Sequence, residues 1–168
     1  MAPSSRKALM TALVLACLSG IVYFASQDTP APAFTIAYAE SVLRDAADAA
    51  RRRDAAAMFA HVADNADLFG ERRARMERFA YRSLREVAPG ALKIRWAHLT
   101  VVRIGSGAMA EFDVSVSEDV GNTEVIYYAG HVTLEFRRVK RPRWLGLGTA
   151  EEWRITRATS SLPVFEGI

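Results

Sequence analysis

Few side chains in this 168-residue chain are placed by type and spacing to do chemistry, and His98 and Tyr128 lead them. Apolar and polar residues alternate through Leu92 to Ile104, Ala108 to Val116 and Ile126 to Phe136. Each segment therefore reads as a strand with one buried and one more polar face. On the first strand Ile94, Trp96, His98, Thr100, Val102 and Ile104 share a face, and the opposite face also carries the apolar Leu99 and Val101, which leaves the facing of this strand open. On the next two the inward set is Ala108, Ala110, Phe112, Val114, Val116, Ile126, Tyr128, Gly130, Val132, Leu134 and Phe136. It holds no carboxylate: Asp113 and Glu135 fall on the other face, and a one-residue bulge would reverse that facing. An inward imidazole beside a phenol would supply a general acid or base and a hydrogen-bond donor. The plainer role for such a pair is a satisfied place within the core or at its rim. His61 sits off the Met58/Phe59/Val62 face and reads as solvated. His131 falls on the outer sheet face, where a surface or dimer contact suits it better than catalysis.

Other chemistries find little support. Three isolated histidines and a single cysteine, Cys17, give no short-range ligand set, so no metal is expected. There is no phosphate-binding glycine loop, dinucleotide fingerprint or nucleophile elbow, so no cofactor is expected. The balance leans away from an enzyme. Charge is the other feature, with a net +3. Arg75, Arg78, Arg82 and Arg85 recur at three- and four-residue spacing and form a stripe on a helix. Arg137, Arg138, Lys140, Arg141 and Arg143 crowd a loop beside Trp144-Leu145. Such surfaces suit an acidic protein partner or an anionic lipid, or else a solvated face paired to Glu71, Glu77 and Glu86. Nucleic acid is not expected, because of the compartment derived next.

The elements that must position these residues begin with an apolar run. Of the 18 residues from Ala8 to Ala25, 15 are apolar and none is charged. A bilayer core needs about 17–25 such residues. Arg6 and Lys7 precede the run, and no further Lys or Arg occurs before Arg44, which places the N-terminus inside and the remainder outside. The exit Tyr23-Phe24-Ala25 is bulky where a cleaved signal has small residues, so an uncleaved anchor is favoured over a signal peptide. Val14-Leu15-Ala16-Cys17 resembles a bacterial lipoprotein box. The apolar run continues past Cys17, however, and the plainer reading is a small residue inside a membrane helix. The expected layout is residues 1–7 cytoplasmic, 8–25 a transmembrane signal-anchor, 26–35 a linker stiffened by Pro30 and Pro32, and 36–168 one domain outside the cytoplasmic membrane. Overall, 51% hydrophobic and 24% charged residues exclude a disordered chain.

Within the domain, Ile36, Ala39, Leu43, Ala46, Ala47 and Ala50 mark an amphipathic helix closed by Arg51-Arg52-Arg53. Asp54 caps a short helix carrying Met58, Phe59 and Val62. Asn65 and Gly70 mark turns. A third helix runs from about Glu71 to Val87, with Met76, Phe79, Ala80, Leu84 and Val87 on one face. Turns at Gly105 and Gly121, a loop from about Val139 to Ala150 and a last strand from Glu151 to Ser160 complete the pattern. The expected class is α+β: three helices packed on a curved four-stranded antiparallel sheet, preceded by one transmembrane helix.

The stretch Ser41 to Phe59, an amphipathic helix broken at Asp54 and followed by a short helix with bulky apolar residues, resembles the opening of the nuclear transport factor 2-like superfamily. Trp153-Arg154-Ile155 resembles its last strand. The resemblance covers about Ile36 to Leu162. It implies a cone whose interior is lined by Phe59, Trp96, His98, Phe112, Tyr128, Val132, Phe136 and Trp153. It also implies either a pocket enzyme, a lyase or isomerase, or a non-catalytic binder. The layout of short N-terminus, anchor and outer domain resembles inner-membrane scaffold subunits of type IV secretion systems. The favoured expectation is a membrane-anchored, non-catalytic scaffold domain. A homodimer through the outer sheet face at Tyr127, His131 and Thr133 is in keeping with it.

Overall fold

The computed structural model describes residues 27–143 and 148–161. The apolar run from Ala8 to Ala25 and the Trp144-Leu145 pair lie outside the described residues. Among the described residues no helix is long and apolar enough to cross a membrane. Two compact units are distinguished: one described over residues 33–138 and 153–161, the other over 27–32, 139–143 and 148–152.

In chain order the elements are α1 (Ile36–Arg51), α2 (Ala55–Met58), β1 (Val62–Leu68), β2 (Glu71–Arg72), α3 (Arg73–Glu86), β3 (Leu92–Ile104), β4 (Gly107–Val120), β5 (Thr123–Pro142) and β6 (Thr149–Ser160). They form one six-stranded sheet in the order β2-β1-β6-β5-β4-β3. The four strands expected from alternation are present, and two more precede them. Val62, expected on the short helix, opens β1. The segment from Val62 to Leu68 carries two Asp and an Asn, a composition with poor strand propensity. Its neighbours hold it in place. It pairs parallel to β6 and antiparallel to β2. Phe69 N–H donates to Ala158 O at 2.8 Å and Ile155 N–H to His61 O at 2.9 Å.

The Thr35 hydroxyl caps α1 by accepting from Tyr38 N–H at 3.2 Å. Its inward face is Ala39, Val42, Ala47, Ala49 and Ala50. Ile36, expected on that face, is 55% exposed. Small residues let the helix lie close against β3 and α2. Asp54 caps α2 at Ala57 N–H, 2.9 Å, as its type and position predicted. Met76, Ala80 and Leu84 seat α3, which packs on β1, β2 and α2.

Two-residue turns at Gly105-Ser106 and Gly121-Asn122 join β3, β4 and β5, with Gly105 and Gly121 at φ +56° and +64°. That left-handed region is cheap only for glycine. The inner sheet face carries the core. Trp153 and Phe136 are each 1% exposed, Phe112 4%, Val132 5% and Phe59 6%. Phe34, just before α1, stacks into this group, with ring centroids 4.6 Å from Phe136 and 5.1 Å from Trp153. Arg138 lies over the Trp153 ring at 5.0 Å.

In the second unit residues 27–32, part of the expected linker, are more than a spacer. Thr29 forms a parallel bridge to Ala150. Thr29 N–H donates to Thr149 O and Glu151 N–H to Thr29 O, at 2.9 and 2.8 Å. The Asp28 carboxylate accepts from both Thr149 N–H and its hydroxyl, and these bonds hold its carboxyl below the usual range.

Phe136→Ala should cost about 3–5 kcal/mol through lost transfer energy and the cavity left behind. Urea unfolding of the variant against the native chain measures it, and a loss under 1 kcal/mol would mean the interior collapses around the gap.

Candidate functional site

Two bulges decide which side chains see the inside. Between Ala97 and Thr100 the β3–β4 register shifts, so that His98 and Leu99 stand opposite the single residue Phe112. His98 takes up the extra residue at φ +54°, a region that costs a non-glycine residue about 1–2 kcal/mol. Beyond the bulge Leu99 and Val101 turn inward, while Thr100, Val102 and Ile104 turn outward. The expected facing of the second half of β3 is therefore reversed. His98 is not inside the cone: its side chain is 82% exposed.

On the outer face His98 finds Asp113. Its Nδ1 donates to one carboxylate oxygen at 2.7 Å. His131 Nδ1 donates to the other at 3.0 Å. A carboxylate can only accept, so both imidazoles carry their proton on Nδ1. The bond from His131, then that from His98, holds the Asp113 carboxyl below the usual range. The group is open to solvent: Asp113 is 52% exposed and His131 47%. It ties β3, β4 and β5 across the sheet. Among the described residues no group of three or more His, Cys, Asp or Glu side chains is arranged to hold a metal.

The second bulge lies in β5. Val116 pairs with Tyr128 and Ser117 with Ile126, which leaves Tyr127 as the extra residue. Ile126, expected inward, is turned out and 63% exposed. Tyr127, expected outward at a dimer face, is 55% exposed and turns its hydroxyl to Glu118. The alternation Phe112, Val114, Val116 runs on to Glu118, which is buried at 8% exposure. The inner face thus does hold a carboxylate, one step beyond where the inward set was expected to end. Both its oxygens are occupied: Tyr127 Oη–H donates to Oε2 at 2.5 Å, and Ala88 N–H to Oε1 at 3.1 Å. The hydrogen bond to Glu118, with the charges of Glu118 and Glu86, pushes the Tyr127 phenol up. The group fastens the loop after α3 to β4 and β5. Tyr128 is half-buried and bonds the Ser160 hydroxyl. Trp96, also half-buried, pairs with Val114 on the same face. So Phe59, Phe112, Val132, Phe136 and Trp153 are core, Trp96 and Tyr128 lie at its rim, and His98 is outside. His61 pairs with Asp45 at 3.1 Å.

The basic residues divide. Arg137, Arg138, Lys140 and Arg141 belong to β5 and not to a loop. Lys140 and Arg141 pair with Glu151 and Glu152 at 3.9 and 2.6 Å. Arg143 donates to Gln27 O at 3.4 Å. On α3, Arg75 pairs with Glu71 at 2.7 Å. Arg85 lies over the Tyr81 ring at 5.4 Å, and Arg78 Nε donates to Ala74 O at 3.1 Å. Sequence reasoning did not find that this side of α3 borders a groove of about 800 Å³, whose other wall is Arg53 and the start of α2. The Arg-Arg-Arg run was the available signal.

No protein-family profile and no curated protein sequence matches the chain. Solved structures do. An NTF2-like protein with a cystatin-like fold from Novosphingobium aromaticivorans aligns at TM-score 0.57 and 18% identity, over 76% of this chain and 80% of that one. An NTF2-like protein of unknown function in nutrient uptake from Rhodospirillum rubrum aligns at 0.53 and 17%, over 77% and 98%. A candidate ketosteroid isomerase from Shewanella frigidimarina aligns at 0.50 and 15%, over 72% and 92%. These likenesses show the fold: an NTF2-like α+β domain.

Two substitutions test the geometry. Asp113 has a depressed folded-state pKa, so its pairing contributes stability above the unfolded carboxylate value of about 3.9 and loses it as pH falls below that. Asp113→Asn should lower the melting temperature at pH 6–7 and make little difference near pH 2–3; an equal loss at both would remove the charge from the account. Glu118→Ala leaves the Tyr127 hydroxyl and the Ala88 N–H without their partner and should cost about 1–3 kcal/mol in urea unfolding.

Proposed function

We propose that the chain is a membrane-anchored, non-catalytic binding domain held outside the cytoplasmic membrane, serving as a scaffold subunit of an envelope or secretion assembly. One observation carries the reading. The face on which an NTF2-like enzyme would work is filled by Trp153, Phe136, Phe112 and Val132, and the groups suited to proton transfer are turned out or already hydrogen-bonded within the protein. His98 and His131 lie on the outer face. Glu118 spends both oxygens on Tyr127 and Ala88. The anchor and its direction rest on the uncharged run from Ala8 to Ala25 and the positive pair before it. The second reading, a lyase or isomerase inside the cone, draws on the likeness to the candidate ketosteroid isomerase and would have to work through Glu118.

Isomerisation of a Δ5-3-ketosteroid should proceed no faster with the protein than in buffer, and Glu118→Gln and His98→Ala should change nothing. Turnover abolished by Glu118→Gln would establish the second reading. In fractionated cells the chain should stay in the membrane through a high-salt wash. Its domain should be digested by protease added to spheroplasts; release by salt, or full protection, would contradict the anchor or its direction.

A further inference from the structure

The groove between α2 and α3 lies away from the inner sheet face and is built unlike a merely solvated surface. Arg53, at its rim, adopts φ +60°, which places an arginine in a conformation that favours glycine. Its backbone is fixed there, with N–H donating to Ala50 O at 2.9 Å. Its Nε is buried and has no hydrogen-bond partner. Arg53 as a whole is half-buried and lines the groove. Across the groove stand Arg78 and Arg82, one helical turn apart. Among the described residues Arg82 has no ion pair.

The acidic side chains in the groove are already committed. Asp54 caps α2 at Ala57 N–H, and Glu77 faces Arg73 at 3.7 Å. Between the charges the lining is apolar: Ala55, Ala56, Ala74 and the ring of Tyr81, itself 55% exposed.

We infer that this groove docks an acidic segment of a partner protein, with carboxylates meeting Arg53, Arg78 and Arg82 and an apolar side chain seated beside Tyr81. The inference rests on the binding-domain reading and names its partner class. The interspersed Asp54 and Glu77 select against a continuous anionic surface, which would press on both. A shaped segment with carboxylates one turn apart meets the arginines and avoids the acids. Arginine offers paired donors in the planar geometry that a carboxylate accepts.

The test is fluorescence anisotropy with the full chain in neutral detergent. The probe is a labelled peptide Glu-Glu-Leu-Phe-Glu-Glu, and its twin has Gln at every Glu. The acidic peptide should bind saturably, the twin should not, and Arg53→Gln and Arg82→Gln should each weaken binding about tenfold. Arg82 is exposed, so R82Q should melt with the native chain and keeps the test independent of any folding loss at Arg53. Absent binding, equal binding of the twin, or binding indifferent to R82Q would overturn the inference. So would phosphatidylglycerol vesicles binding in an Arg82-dependent way while the peptide does not. A positive isomerase assay alongside peptide binding would instead defeat the non-catalytic reading and leave the groove standing.

Discussion

Phe34, Phe136 and Trp153 meet ring to ring on the inner sheet face, and what the domain can do follows from that contact. Where helices pack on one face of a sheet, the volume between them goes either to a ligand or to the protein's own side chains. Here an aromatic from the segment before α1, one from β5 and one from β6 converge with Phe112 and Val132 around them. Each ring removed from water contributes a few kcal/mol. The stability of a domain with no disulfide therefore depends on that interior being full. A pocket of substrate size would require giving up several of these contacts.

Beside that core, two bulges decide where the polar groups lie. Each inserts one residue and exchanges the faces of everything beyond it. The bulge at His98 turns the imidazole from the core to the outer face, where Asp113 and His131 receive it. The bulge at Tyr127 turns Ile126 out and brings a phenol to Glu118. Both therefore create hydrogen-bonded groups that bind strands to one another. Arginines on α3 and at the α1–α2 junction face a groove between the helices.

These particulars also show what a sequence can and cannot convey. The helix capped by Asp54, the α3 stripe, the turns at Gly105 and Gly121 and the long strands were all legible, because local periodicity and capping carry their own signal. β1 was not, since Val-Ala-Asp-Asn-Ala-Asp-Leu is a strand only by virtue of pairing with β2 and β6. The inward facing of β3 failed from His98 onward and that of β5 failed at Ile126, because a bulge is a property of two strands and not of one. Glu118 was missed for a simpler reason: the alternation that predicted Val116 inward continues one step further. The arginine stripe was legible as a stripe. The Arg51-Arg52-Arg53 run was visible too, but that Arg53 stands opposite this stripe required the fold, since proximity between the α1–α2 turn and α3 leaves no mark in spacing.

The most direct measurement of the central claim, that the interior is full, is a fluorescence titration of the native chain and a Trp153→Phe control with a rigid apolar ligand of steroid size. A full interior gives no saturable change in Trp153 emission up to the ligand's solubility limit. A stoichiometric, saturable change lost in the control would show an open cone and contradict it.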